Sequence, residues 1–235
     1  MEPAAPFHEF STLSTALVSD AGLRLDLAAR WMSGGVRSVV AGMRVAGRVR
    51  PVRHHGSVDV FFEALEDARA GDVLVIDNGG RRDEGCIGDL TVLETRAAGL
   101  AGLVVNGVHR DTAELVRIEF PVFSLGTCPL GPRRLDPRDA HSLTSAEMGG
   151  FTVTREDAVF ADDDGVVFVP LARTAEVLAV ARKIADTERA QAQRVAAGRS
   201  LREQLRFADY LAARERDPAL TFRAHLRRVG GAIEE

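Results

Sequence analysis

The pattern of apolar and polar positions divides the chain into stretches of different period. Residues 11–32 combine Ser and Thr starts with helical spacing and predict one or two short helices. Two β-branched runs follow, Val36 to Val40 and Met43 to Val49, separated by glycine. Phe61, Ala64, Leu65 and Ala68 then recur at i, i+3, i+4 and i+7, one face of a helix over Phe61 to Ala70. Gly71-Asp72 turns the chain into Val73-Leu74-Val75-Ile76, a continuous apolar run of the kind found in strands covered on both faces. A glycine-rich loop is expected from Asn78 to Gly88, and then a helix from about Leu90 to Ala98. Leu103 to Val105 predicts a strand, Gly107 a turn, and Thr112 to Ile118 another helix. Strand, loop, helix and strand in that order define an α/β class with right-handed crossovers.

After Pro121 the period shortens. Strands are expected at Val122 to Leu125, Gly150 to Thr154, Ala158 to Phe160 and Val166 to Val169, the last two joined by a hairpin turn at Asp164-Gly165. From Leu171 the pattern is helical to Gly198 and again to about Arg216, where Asp217-Pro218 ends it. The organisation read from this is a core over residues 1–170, C-terminal helices over 171–216, and a little-ordered tail over 217–235.

Composition changes this picture little. With 46% hydrophobic and 27% charged residues the chain is ordinary globular protein, and a net charge of −4 provides no global field toward nucleic acid or membrane. Cys86 and Cys128 form no CxxC pair, and nothing suggests a disulfide framework. The apolar runs are too short to span a bilayer, and Met1-Glu2-Pro3 starts no basic-then-apolar leader. A soluble cytoplasmic protein without membrane contact is the expectation. Residues 182–228 carry twelve Lys or Arg against six Asp or Glu. That basic arm reads first as a solvated helical face and second as a subunit contact. Only Phe207, Tyr210 and Phe222 are there to stack on bases, which argues against nucleic acid.

Two junctions between a buried strand and a helix concentrate the chemistry. Gly79 to Asp89 (GGRRDEGCIGD) brings glycines and a helix start together, a combination that admits an anion to free backbone N–H groups. The plainer reading is a glycine turn with Asp89 as helix cap. Asn106 to Glu114 (NGVHRDTAE) offers Asp111 and Glu114 at capping-box spacing, yet a cap needs no arginine beside it. Arg110 would bring a permanently charged fork to the carboxyl end of the same sheet, where ligands of α/β folds collect. Carboxylates such as Asp89, Asp111 and Glu114 suit a hard ion, Mg²⁺ or Mn²⁺, and neither loop holds a lysine for Schiff-base chemistry. Stabilising an enolate after carbon–carbon cleavage is the reaction these parts suit.

The stretch GDVLVIDNGGRRDEGCIGDLTVLETRAAGLAGLVVNGVHRDTAEL (Gly71 to Leu115), with FADDDGVVFVP (Phe160 to Pro170), resembles the RraA-like family. That family includes 4-hydroxy-4-methyl-2-oxoglutarate aldolases and the regulator of ribonuclease activity A. The resemblance runs over roughly residues 10–200 and rests most on Asp89, twenty intervening residues, Arg110-Asp111 and Glu114. It implies a layered α/β/β/α swivelling-domain-like fold with a C-terminal helical extension, in homotrimers or hexamers with active sites between subunits. It also implies Asp111 and Asp89 as metal ligands and Arg110 as the residue that binds a pyruvate unit and stabilises its enolate. The segment Gly85, Cys86, Ile87, Gly88 and Asp89 would hold the substrate carboxylate, and a water held by Asp89 or the metal would move the proton. A glutamate from a neighbouring subunit is matched to Glu188, which continues the apolar stripe of Val177, Ala181 and Ile184. The implied function is a metal-dependent lyase for a small 2-oxo acid, and the alternative is a non-catalytic regulator that masks a ribonuclease or another protein. Asn106 departs from the aspartate of many members, as does the charged loop Arg81 to Glu84. His54-His55 read as surface or supporting residues, and Asp162-Asp163-Asp164-Gly165 as a turn, since a calcium loop would want an acid at Phe160.

Overall fold

The computed structural model describes residues 6–28, 30–32 and 35–230. The Met1-Glu2-Pro3 segment that bears on a leader lies outside them. Contacts divide the chain into two compact units, Met1–Leu178 and Ala179–Glu235.

In the first unit, strands β1 (Arg30–Trp31), β2 (Arg37–Ser38), β3 (Val45–Arg53), β4 (Val73–Ile87), β5 (Gly102–His109) and β6 (Val122–Ser124) precede a separate hairpin, β7 (Ser145–Glu147) and β8 (Thr152–Thr154). β9 (Asp157–Asp162) and β10 (Gly165–Pro170) complete the set, and the main sheet runs β1-β10-β9-β3-β4-β5-β6-β2. β3, β4, β5 and β6 are parallel, and the flanking strands run antiparallel to their neighbours. The crossovers between the parallel strands carry α2 (Asp59–Glu66), α3 (Asp89–Ala97) and α4 (Thr112–Ile118).

The continuous apolar runs are explained by two cores, one on each face of the parallel strands. Leu74, Ile76, Leu103 and Val105 face the helices and pack with Phe61, Val92 and Leu115. Their alternates Val73, Val75 and Val104 face the other way and pack with Met148, Val159, Val166 and Phe168 of the β7–β10 region. α1 (Thr15–Arg24) covers β9 and β10 from outside. Helices, parallel sheet, second β layer and α1 therefore give the expected α/β layering. No helix among the described residues is long and apolar enough to cross a membrane.

Two expectations are corrected. The loop from Asn78 to Gly88 is an extension of β4, paired to β5 through register shifts, and β5 runs on through Gly107 to His109 instead of turning there. Glycine-rich, charged sequence disguises a strand whose pairing is long-range. The second correction lies in the other unit. Beyond α5 (Thr174–Ala196), α6 (Leu201–Gln204) and α7 (Phe207–Arg216), the tail forms a further helix, α8 (Phe222–Val229). Thr221 caps it by accepting from the Ala224 N–H at 3.2 Å, and Phe222 packs edge-on to Phe207 and against Tyr210. The three aromatics of the basic arm are thus engaged with one another.

The run of aspartates at 162–164 is a two-residue hairpin turn, with Gly165 paired to Asp162. Asp162 is buried and accepts from the Thr15 backbone N–H at 2.9 Å and the Thr15 hydroxyl at 2.6 Å, tying the start of α1 to the sheet. It also accepts from the Asp164 N–H at 3.1 Å, so removing this charged acceptor strands three donors. Asp162→Ala should cost about 2–3 kcal/mol in urea unfolding without changing the slope of the transition.

Candidate active site

The site is built by the parallel pair β4–β5. The pair Asp77 and Asn106 is followed by Arg81 with Gly107, Gly85 with Val108 and Ile87 with His109, so β4 carries extra residues that bulge outward. Both strands then end together, and α3 and α4 start side by side at the carboxyl edge, capped by Gly88 and Asp111.

Asp111 does not cap in the expected way. It takes the left-handed conformation at φ 59°, its side chain makes no capping bond, and the Glu114 side chain pairs with Arg117. The capping box is absent because the Asp111 carboxylate turns toward Gly88 instead. A Cβ on Gly88 would clash with Asp111 Oδ2 and would lie 3.3 Å from Arg110 Nε. Arg110 Nε is 3.3 Å from Asp111 Oδ2, with the two side chains 48% and 36% exposed. That exposure leaves the pair open to a ligand. A non-glycine residue in the left-handed region costs about 1–3 kcal/mol and is a recurrent mark of functional sites.

Asp89 is the first helical residue and not the cap; its Oδ1 accepts from the Leu90 N–H at 2.7 Å, and its other oxygen has no protein donor among the described residues. The Arg110 N–H donates to the Ile87 carbonyl at 3.0 Å, fixing one helix start to the other. Gly85 serves by lacking a side chain: a Cβ there would meet Cys128 O at 2.8 Å and Arg110 Cβ at 3.0 Å. Its amide is already committed to the Leu130 carbonyl at 2.7 Å, so it has no N–H left for a carboxylate. Gly131 of the same loop lies under Arg110, 2.8 Å from Nη1 to where its Cβ would sit. Gly85, Cys86, Ile87 and Gly88 are all buried. Burial first, and then the Glu84 carboxylate, push the Cys86 thiol up to about 12, so it stays protonated and is no nucleophile.

The charged loop resolves into distinct parts. Arg81 pairs with Asp83 at 2.7 Å, and Arg82 donates to the Leu125 carbonyl at 2.8 Å. Glu84, 5% exposed, is buried against Arg134 at 3.0 Å. Arg134 also donates to Asn78 Oδ1 at 2.7 Å and to the His54 carbonyl at 3.2 Å, and His54 Nδ1 lies 2.8 Å from the same Asn78 oxygen. This clasp holds the 128–136 loop over the site. Sequence reasoning missed it, because nothing local marks a partner fifty positions from Glu84. Both His54 and His55 are buried, which rules out the surface half of their reading, and His54 stacks on Phe61 with ring centroids 5.1 Å apart. His109 is buried between the Ser124 and Thr112 hydroxyls at 2.7 and 3.0 Å; burial above all lowers its pKa, so it is a neutral supporting group. Asn106 donates to the Glu147 carbonyl at 2.9 Å.

Glu188 lies in the other unit, exposed on α5. Val177, Ala181 and Ile184 are buried as their spacing requires, and the stripe continues at Gln191. No group of three or more His, Cys, Asp or Glu placed to hold a metal occurs among the described residues.

Two outcomes follow from this geometry. Gly88→Ala puts a Cβ against the Asp111 carboxylate and should cost about 1–3 kcal/mol in urea unfolding, with the circular dichroism of the folded state unchanged. The second concerns His54, whose pKa is lowered from 6.5 mainly by burial. The fold resists a proton that the unfolded chain accepts, so stability is full above 6.5 and lost as pH falls below it. His54→Gln should flatten the fall in stability between about pH 7.5 and about pH 5.

A family model described as RraA-like, Aldolase/RraA, matches residues 15–168. A protein of Halalkalibacterium halodurans provisionally named 4-hydroxy-4-methyl-2-oxoglutarate aldolase is 29% identical over 176 residues, 74% of this chain and 81% of its own. A crystal structure of a protein from Pseudomonas syringae pv. tomato superposes with a TM-score of 0.75 at 28% identity, covering 86% of this chain and 98% of that one. Streptomyces coelicolor RraAS2, described as an unusual member of the RNase ES inhibitor RraA family, superposes with a TM-score of 0.68 at 28% identity, covering 78% and 93%. With the match spanning most of the sheet and both helix starts of the site, the chain belongs to the RraA-like family.

Proposed function

We propose that the chain is a divalent-metal-dependent carbon–carbon lyase, acting by retro-aldol cleavage or decarboxylation on a small 2-oxo acid that contains a pyruvate unit. The observation that carries this reading is Arg110 and Asp111 seated together on Gly88, beside Asp89 at the start of α3.

The residues fit a hard ion. Mg²⁺ and Mn²⁺ take one or two carboxylates and keep waters, so Asp111 and Asp89 suffice from this chain. Asp111 is half-open and offers Oδ2, and Asp89 has an oxygen without a protein donor among the described residues. When bound, the ion would polarise the substrate carbonyl and accept part of the charge developed on it. Arg110 would receive the pyruvate oxygens in its fork and hold the enolate charge. In the first turn of α3 the Leu90 N–H is taken by Asp89 and the Val92 N–H by the Gly88 carbonyl, so the Asp89 and Thr91 N–H groups and the positive dipole end would receive the substrate carboxylate. Asp89 would orient the water that gives and takes the proton. A Schiff-base route has no candidate, since the chain's one lysine, Lys183, is exposed on α5.

We also propose assembly into trimers or hexamers, with Glu188 of a neighbouring copy completing the site. Exposed Leu90, Leu93 and Val116 on the packed helices α3 and α4 support such a cover. The neighbour RraAS2, described within an RNase inhibitor family, supports the alternative of a protein-binding regulator.

The test is a coupled pyruvate-release assay on oxaloacetate and 4-hydroxy-4-methyl-2-oxoglutarate with Mg²⁺, Mn²⁺ or chelator. Release should require metal and be lost in Asp111→Ala. Arg110→Ala should lower kcat/KM by about 10³-fold or more with the melting temperature unchanged. Release that survives both substitutions would reject the assignment, and absence of both release and metal binding would favour the regulator.

A further inference from the structure

A second cluster of arginines lies at the opposite end of the sheet. β3 and β4 are in register from Val49 with Val73 at their entry to Arg53 with Asp77 at the carboxyl side. Arg110 follows the far end of β5, whereas Arg48, Arg50 and Asp72 stand at the entry end. There a cavity of about 100 Å³ is lined by Arg48, Arg50, Arg69, Arg155, Asp67 and Asp72. Four guanidinium groups against two carboxylates leave a net charge of +2 around it.

The carboxylates are already committed. Asp72 Oδ1 accepts from Arg48 Nε and Nη2 at 3.1 and 3.0 Å, and Asp72 Oδ2 accepts from the Arg69 backbone N–H at 3.0 Å. Asp67 Oδ2 accepts from Arg155 Nη1 at 3.1 Å and lies 3.1 Å from Arg50 Nη2. Arg50 first, and then Arg155, hold the Asp67 carboxyl below its ordinary range. Two guanidinium groups keep N–H groups that these carboxylates do not take up. The Arg50 side chain is 5% exposed; its Nε donates to the Ala64 carbonyl at 2.9 Å, and its buried Nη2 meets Asp67 as an ion pair that lacks hydrogen-bond alignment. Among the described residues, nothing pairs with the Arg69 guanidinium.

A buried guanidinium held by one ion pair to a largely exposed carboxylate keeps N–H groups for a further anion, and a cavity with this excess of positive charge favours one. That anion must be small, must carry about two negative charges and must offer oxygens to several forks at once, which describes a phosphoryl group. We propose that this cavity is a binding site for a small phosphoryl dianion, either inorganic phosphate or the phosphate of a monoester. It is distinct from the site at Arg110, and the inference does not depend on the lyase reading.

The experiment is calorimetric and thermal titration of the full chain with inorganic phosphate, and in a parallel arm with glycerol 3-phosphate, at constant ionic strength set by chloride. Saturable binding and a raised melting temperature are expected for the wild type. Arg69→Ala, a change at an exposed residue, should weaken the binding by at least about tenfold. Arg110→Ala should leave it unchanged. Arg50→Met should abolish it, and if that variant does not fold, Arg69→Ala together with Arg155→Ala carries the comparison. Tighter binding of the ester than of phosphate assigns the monoester, and equal binding assigns the free ion. The proposal is overturned if phosphate acts no differently from chloride, if Arg69→Ala and Arg155→Ala bind as the wild type does, or if Arg110→Ala is the variant that loses the effect.

Discussion

The carboxyl edge of the sheet is organised around the absence of one side chain. Gly88 sits where a Cβ would clash with the Asp111 carboxylate and crowd Arg110, so the two charged residues pack on its α-carbon. Asp111 meets them by taking a left-handed backbone and giving up its capping bond. The start of α4 is thereby less well satisfied than an ordinary helix start, and a carboxylate and a guanidinium are held together beside the N-terminus of α3. Strain of this kind persists only where the surroundings over-determine it. Here they do: the Arg110 amide is tied to the Ile87 carbonyl, Gly131 lies under the guanidinium, and the Gly85 amide is tied to Leu130.

A second layer keeps that arrangement in place. The 128–136 loop that supplies Leu130 and Gly131 has no regular structure of its own. It is anchored through Arg134 to buried Glu84, to Asn78 and to the His54 carbonyl. A buried ion pair of this type contributes little net stability compared with apolar packing, but breaking it leaves a stranded charge. Its value is therefore geometric: it fixes one loop conformation over the site.

The legible parts of the structure are those set by local periodicity. Val73 to Ile76 and Leu103 to Val105 announced buried strands, and the helix expected near Thr112 to Ile118 is there. The hairpin between β9 and β10 followed from turn chemistry, with its turn at Asp163-Asp164 one position before the expected Asp164-Gly165. What stayed hidden depends on long-range pairing. The stretch from Asn78 to Ile87 looks like a loop because its glycines and charges carry no strand signal, and only β5 beside it makes it a strand. The Arg134 clasp joins residues fifty positions apart, and α8 becomes worthwhile only through packing on Phe207 and Tyr210. At the site, residue types and spacing pointed to Asp89, Arg110 and Asp111. The capping-box spacing of Asp111 and Glu114 misled, because a close approach to Gly88 outweighs a cap worth about 1 kcal/mol.

The claim that Arg110, Asp111 and Gly88 form one metal-assisted site for a 2-oxo acid is tested most directly by calorimetric titration of oxalate, a planar mimic of the pyruvate enolate, with and without Mn²⁺. The account predicts that oxalate binds only when the metal is present, and that either Asp111→Ala or Arg110→Ala removes that binding. Oxalate binding that ignores the metal and survives both substitutions would contradict it.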